Sequence, residues 1–176
     1  MNYKSLVENL VLQYSKVIKE FSQSEDNKNV YALLFHVDPY HGAITLYLNN
    51  ESKLKETVLR YQNMYPNDSY TEESLRHSSG DFSFVYHADE LSSNIKDLLK
   101  TYYNLVVEEI DYEDTERYWI ELFTFTKAIK RTLQKLEQYI LLLDKTDNFD
   151  SYIEFHDTDE EDTNFLLEES ELVGMI

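Results

Sequence analysis

A chain of 176 residues with 42% apolar and 14% aromatic content is long enough to bury a core as one domain and too apolar for a disordered acidic tail. Its 34 Asp and Glu against 16 Lys and Arg give a formal charge of −18. That balance argues against direct contact with nucleic acid or an anionic membrane, both polyanions. The absence of cysteine excludes a disulfide scaffold, a thiolate metal site and a cysteine nucleophile, and fits a reducing, cytoplasmic setting.

The opening residues Met1 to Asn9 lack the uninterrupted apolar stretch of a signal peptide. Leu6, Leu10, Tyr14, Val17 and Phe21 instead recur at helical spacing, which predicts an amphipathic helix ending before a polar loop at Ser22 to Lys28. Val30 to Val37 and Ala43 to Asn49 read as two strands of a hairpin, joined by Asp38-Pro39-Tyr40-His41-Gly42. Asn49 or Asn50 then caps a helix over Glu51 to Tyr65, with Leu54, Val58 and Leu59 inward and Tyr61 and Met64 as candidates, stopped by Pro66. Phe82 to Tyr86 is a short third strand after a turn at Ser78 to Asp81.

Asp89 is the expected cap of a helix from Glu90 to about Val107, with Leu91, Ile95, Leu98, Tyr102 and Leu105 inward. An acidic connector, Glu108 to Asp114, follows. Trp119, Leu122, Thr126, Ile129, Leu133, Leu136, Ile140 and Leu143 keep alternating 3- and 4-residue spacing, which predicts a helix of about 25 residues packed on its own domain rather than on a coiled-coil partner. Tyr139 to Leu143, a wholly apolar run, is far too short to span a bilayer. Thr146 to Asp150 reads as a loop, Ser151 to Phe155 as a fourth strand, and Asp157 or Thr158 as the cap of a last helix with Phe165, Leu166 and Leu172 inward. The order of elements predicts a single α+β domain over residues 1–176. About four strands form a small, mainly antiparallel sheet, packed with about five helices.

Familiar catalytic signatures are missing. Gly42, Gly80 and Gly174 are the only glycines, so no phosphate-cradling loop or nucleophile elbow can be built. His36 and His156 each lie beside a turn at a strand end and could converge, while His87 precedes Asp89-Glu90 in a possible mixed ligand set; rim histidines are the plainer reading. Asp157-x-Asp159-x-Glu161 with Glu168 imitates a calcium loop, but Asp162 occupies the sixth position, where the sharp turn needs glycine. Nothing in the chain calls for a metal or a cofactor.

The acids are distributed unevenly. Residues 146–176 hold eleven carboxylates and no Lys or Arg. Two blocks stand out, Glu108, Glu109, Asp111, Glu113 and Asp114, and Asp157, Asp159, Glu160, Glu161 and Asp162. Either they are a solvated surface or they steer a cationic partner, with Tyr112 beside the first block and Tyr61, Tyr65 and Tyr70 as candidate anchors. Lys127, Arg131 and Lys135, with Lys130, form a basic stripe on the long helix; a solvated outer face is the plainer reading, and it could also dock the chain's own acidic C-terminal segment.

The helix leading into Val30-Tyr-Ala-Leu-Leu-Phe-His-Val37, the later Ser78-Ser-Gly-Asp-Phe-Ser-Phe-Val-Tyr-His87, and the closing strand, acidic spacer and Phe165-Leu-Leu-Glu-Glu-Ser170 together carry a resemblance. Across most of its length the chain resembles a family of small, uncharacterised bacterial α+β proteins encoded beside polymorphic toxins and regarded as immunity proteins. The resemblance implies a non-enzymatic, cytoplasmic protein that binds and blocks a toxin, commonly a basic nuclease, and it carries over no individual functional residue. The charge balance independently points to a basic protein partner. Three other functions compete with this one: a DNA-mimic regulator of a nucleic-acid-binding protein, a small metal-dependent hydrolase using His87, His156 and nearby acids, and an acidic structural or adaptor module. The sequence leaves monomer and dimer undecided.

Overall fold

Asn2 starts the first helix, α1 (Tyr3–Ser22), by accepting the amide N–H of Ser5 on its side chain. Leu6, Leu10, Tyr14, Ile18 and Phe21 then bury one face. The computed structural model describes residues 1–110, 114–158, 160–172 and 174.

The hairpin expected from the sequence is present as β1 (Val30–Asp38) and β2 (Ala43–Asn50), antiparallel with Leu34 opposite Tyr47. Its turn is built by two devices. The Asp38 carboxylate accepts the N–H groups of Tyr40 and His41, both at 3.0 Å, and Gly42 adopts a φ of +65°. A Cβ on Gly42 would lie 2.9 Å from the Tyr102 ring and 3.2 Å from the Leu99 carbonyl oxygen. The space a side chain would take is used by Tyr102, whose hydroxyl donates to the Pro39 carbonyl at 2.7 Å.

Asn50 caps α2 (Glu51–Met64) through the N–H of Lys53. Leu54, Thr57 and Val58 face the sheet. Leu59 and Met64, expected inward, are each 59% exposed, because the face carrying residues 54, 57, 58 and 61 is the one the sheet covers and Leu59 lies off it. A capping box between Thr71 and Ser74 starts the short α3 (Glu72–Leu75), and a 3₁₀ turn at Ser79–Asp81 leads to β3 (Phe84–His87), antiparallel to β2. Phe82, expected within that strand, precedes it and plugs the core.

The expected single helix from Glu90 is corrected. Ser92 is extended (φ −162°, ψ 132°) and splits it into α4 (Ala88–Leu91) and α5 (Ser93–Tyr103), and Asp89 sits in the first turn of α4 rather than at its cap. A π-helical turn, Asn104–Glu109, continues α5. Asp114 caps α6 (Thr115–Ile140) by accepting the Arg117 N–H, and the 26-residue length agrees with the periodicity. Leu122, Thr126, Ile129, Leu136 and Ile140 are buried as expected, whereas Trp119 stays 39% exposed. The helix packs along α1 of the same chain.

β4 (Lys145–Phe155) begins earlier than the expected 151–155, so the expected loop is strand, with an irregular register between Lys145 and Asp150. It pairs parallel to β1, giving the order β3-β2-β1-β4 with two antiparallel junctions and one parallel. The last helix is α7 (Glu160–Glu169), in which Leu166 is buried. Phe165 and Leu172, expected inward, are 45% and 77% exposed, Leu172 because it lies past the helix end.

The architecture is α+β. One face of the sheet carries α1, α5 and α6 over Leu33, Phe35 and Val37; the other carries α2 and α3 over Tyr31, Leu34 and Phe82. This explains why Val30 to Phe35 reads as an unbroken apolar run, since β1 is central and covered on both sides. Among the described residues, no helix is long and apolar enough to cross a membrane.

Candidate partner-binding surface

The first acidic block straddles the approach to α6. Glu108 and Glu109 end the π-helical turn and Asp114 caps α6, all three exposed; Asp111, Tyr112 and Glu113 lie outside the described residues. In the second block, Asp157, Glu161 and Asp162 are exposed, Glu160 begins α7, and Asp159 lies outside the described residues. Ion pairs with Lys or Arg are made by Glu56, Asp81, Glu51 and Glu171, which lie outside both blocks. Phe165 meets Trp119 edge-on at 6.1 Å, and Trp119 lies about a turn beyond the cap Asp114.

What holds α7 there is the basic stripe of α6. Lys130 donates to the Leu167 carbonyl at 3.0 Å and pairs with the Glu171 carboxylate; Lys127 donates to the Glu171 carbonyl at 3.4 Å. The cations therefore meet the carbonyl end of a helix, where its dipole is negative. Lys130 holds the Glu171 carboxyl below its ordinary range. The sequence favours a solvated face for this stripe, with docking of the acidic C-terminal segment as the alternative; Lys127 and Lys130 make the docking. Trp119 and Phe123 stack 5.5 Å apart, and Phe165 also packs against Phe123 at 5.9 Å. Sequence reasoning missed this cluster, although the four-residue spacing of Trp119 and Phe123 was a signal for it.

His36 and His156 do converge, with ring centroids 5.5 Å apart. The parallel register places His36 directly beside Glu154, and the His36 Nδ1 lies 3.6 Å from a Glu154 carboxylate oxygen, just beyond hydrogen-bond reach. The facing His36 holds the Glu154 carboxyl below its usual 4.5, with Ser79 adding to the effect and partial burial opposing it. A carboxyl lowered in the folded state adds stability that is present above the unfolded pKa and lost as the pH falls through the folded one. His156 Nε2 sits 3.2 Å from Asp157. His87 is engaged elsewhere, 3.0 Å from the Thr45 hydroxyl, rather than with Asp89 and Glu90. Among the described residues, no group of three His, Asp or Glu is arranged to hold a metal ion.

Two further features have binding geometry. Tyr61, Tyr65 and Tyr70 gather into one cluster, with Tyr61 and Tyr70 4.9 Å apart and Tyr65 about equally far from both at 6.1 and 6.0 Å. Tyr65 is 45% exposed and the exposed Met64 lies beside it in sequence, so the three rings form a partly wet aromatic patch at the end of α2. The second feature is a cleft of about 910 Å³ along the outer edge of β4, walled by α6 and α7 and lined in part by Leu133, Glu137, Asp150, Ile153, Glu154 and Leu167. No periodicity signals it, because it arises where three elements distant in sequence meet. No protein-family model, curated protein or solved structure matches the chain.

Proposed function

We propose that the chain is a non-enzymatic acidic binding protein of the immunity type, which blocks a basic toxin domain by occluding it. The observation that carries this reading is the exposure of Glu108, Glu109, Asp114, Asp157, Glu161 and Asp162, the described acids of the two blocks, within a molecule of net charge −18. Solvent-facing carboxylates at this density repel one another and gain from a cationic partner. The carboxylates steer that partner, and Tyr61, Tyr65 and Tyr70 supply rigid amphipathic contact area once it has arrived. The family resemblance of the sequence supports the same reading.

The test starts with the protein as bait in its native host, identifying a captured basic domain and assaying that domain's activity with and without stoichiometric protein. Inhibition is expected. Replacing Asp159, Glu160 and Asp162 together by Lys should then slow association about tenfold or more at low salt, with the difference shrinking near physiological ionic strength. Unchanged association rates would remove the second block from the binding surface. A captured protein displaced by duplex DNA and without toxic activity would favour the DNA-mimic function instead.

A further inference from the structure

We infer that the outer edge of β4 receives an extended, cationic segment of the partner as an added strand. This deepens the reading above and rests on its cationic partner. The argument begins with backbone direction. The His156 N–H donates to the Val37 carbonyl at 2.8 Å, which turns the backbone polar groups of residues 150, 152, 154 and 156 toward β1. Those of Ser151, Ile153 and Phe155 therefore point away from the sheet. Thr158 satisfies the Phe155 carbonyl with its hydroxyl at 3.0 Å. Among the described residues, Ser151 and Ile153 thus present unpaired strand groups along a regular stretch from Asp150 to Phe155. Such an edge is a template for another strand, and here it opens into the cleft beneath α6 and α7. A peptide lying between a strand edge and a helix is an established recognition mode.

The side chains along this edge specify the occupant. On one face, Asp150 and Glu154 flank Tyr152; on the other, Ile153 lies toward the half-buried Leu133 and Leu167. An added strand alternates its side chains between those faces. It is matched when Lys or Arg meets the carboxylates and an apolar residue meets the leucines. Glu137 adds a further negative charge to the lining, and Lys130, the cation that also lines it, is engaged by Glu171 and the Leu167 carbonyl. A second copy of β4 fits poorly, since antiparallel pairing about Tyr152 would set Asp150 against Glu154 twice, and like charges directly opposite are destabilising.

The test uses the whole chain and a blocked peptide of alternating lysine and valine, about seven residues long, which is ample to span a typical strand. Two further versions carry N-methyl groups, one on the lysines and one on the valines. Both keep the charge, and each removes one outward row of donors. The unmethylated peptide should bind at low salt and slow amide exchange at Ser151 and Ile153. One methylation frame should weaken binding at least tenfold while the other leaves it nearly unchanged. Equal binding of all three peptides would overturn the added strand while leaving the cationic partner intact. No binding by any of them would overturn the edge as well, with the cationic partner judged separately by the captured domain. A concentration-dependent dimer that protects the same two amides would replace the cationic occupant with a second copy.

Discussion

Gly42 shows how one atom's absence organises a neighbourhood. Its φ of +65° closes the β1–β2 turn, and its missing side chain admits the Tyr102 ring. That ring stacks on Phe125 at 4.1 Å and bonds to Pro39, so the hairpin tip, α5 and α6 are tied at one point. Gly42→Ala should therefore lower unfolding stability by about 1–3 kcal/mol, from left-handed strain plus the displaced ring. Urea denaturation would show it as a lower midpoint at constant slope. A loss of only a few tenths of a kcal/mol would mean that Tyr102 moves aside freely. The glycine and its turn were legible in the sequence because Asp-Pro-x-x-Gly is turn chemistry; the reason the position rejects a side chain was not, since Tyr102 comes from a helix far along the chain. His36 behaves similarly. Its neighbour Glu154 is set by the parallel register of β1 and β4, which no local pattern encodes.

Among the elements, α7 is attached by few large contacts. A single fully buried hydrophobic residue, Leu166, the aromatic contact with Trp119 and Phe123, and the lysines of α6 hold it. Lys130→Met keeps most of the apolar stem but removes the charge that meets Leu167 and Glu171. Amide exchange across 160–169 should quicken by about tenfold, while global stability falls by no more than about 1 kcal/mol, the range of a largely exposed pair. Unchanged exchange would show that the aromatic contacts alone hold the helix. Elements with a strong period or a cap, such as α1, the hairpin, α2 and α6, follow directly from the sequence. The start of β4 does not, because Thr146 to Phe149 is polar and half-solvated and becomes strand only through β1 beside it. The break at Ser92 was equally hidden, as Leu91, Ile95 and Leu98 fit one continuous helical stripe.

At the scale of the whole molecule, electrostatics sets the balance between self-repulsion and local pairing. The Lys and Arg ion pairs formed by Lys53, Arg60, Arg76 and Lys130 lie mostly at the surface, where water and salt screen them. Repulsion within a chain of charge −18 should outweigh them. Raising ionic strength from about 0.01 to 0.15 M shortens the screening length from about 30 to 8 Å. The thermal midpoint should therefore rise, by about 2–4 °C for each kcal/mol of repulsion relieved. A midpoint that falls with added salt would show that attractive pairs dominate. The sheet order also has a consequence during synthesis. The hairpin emerges early, yet Leu34 meets Tyr152 only after more than half of the protein has been translated. At roughly 5–20 residues per second, that flank of the central strand waits about 6–25 s for its neighbour. Newly made molecules therefore pass through a stage in which a sticky ribbon needs shelter, by a chaperone or by the ribosome surface, before the last strand seals it.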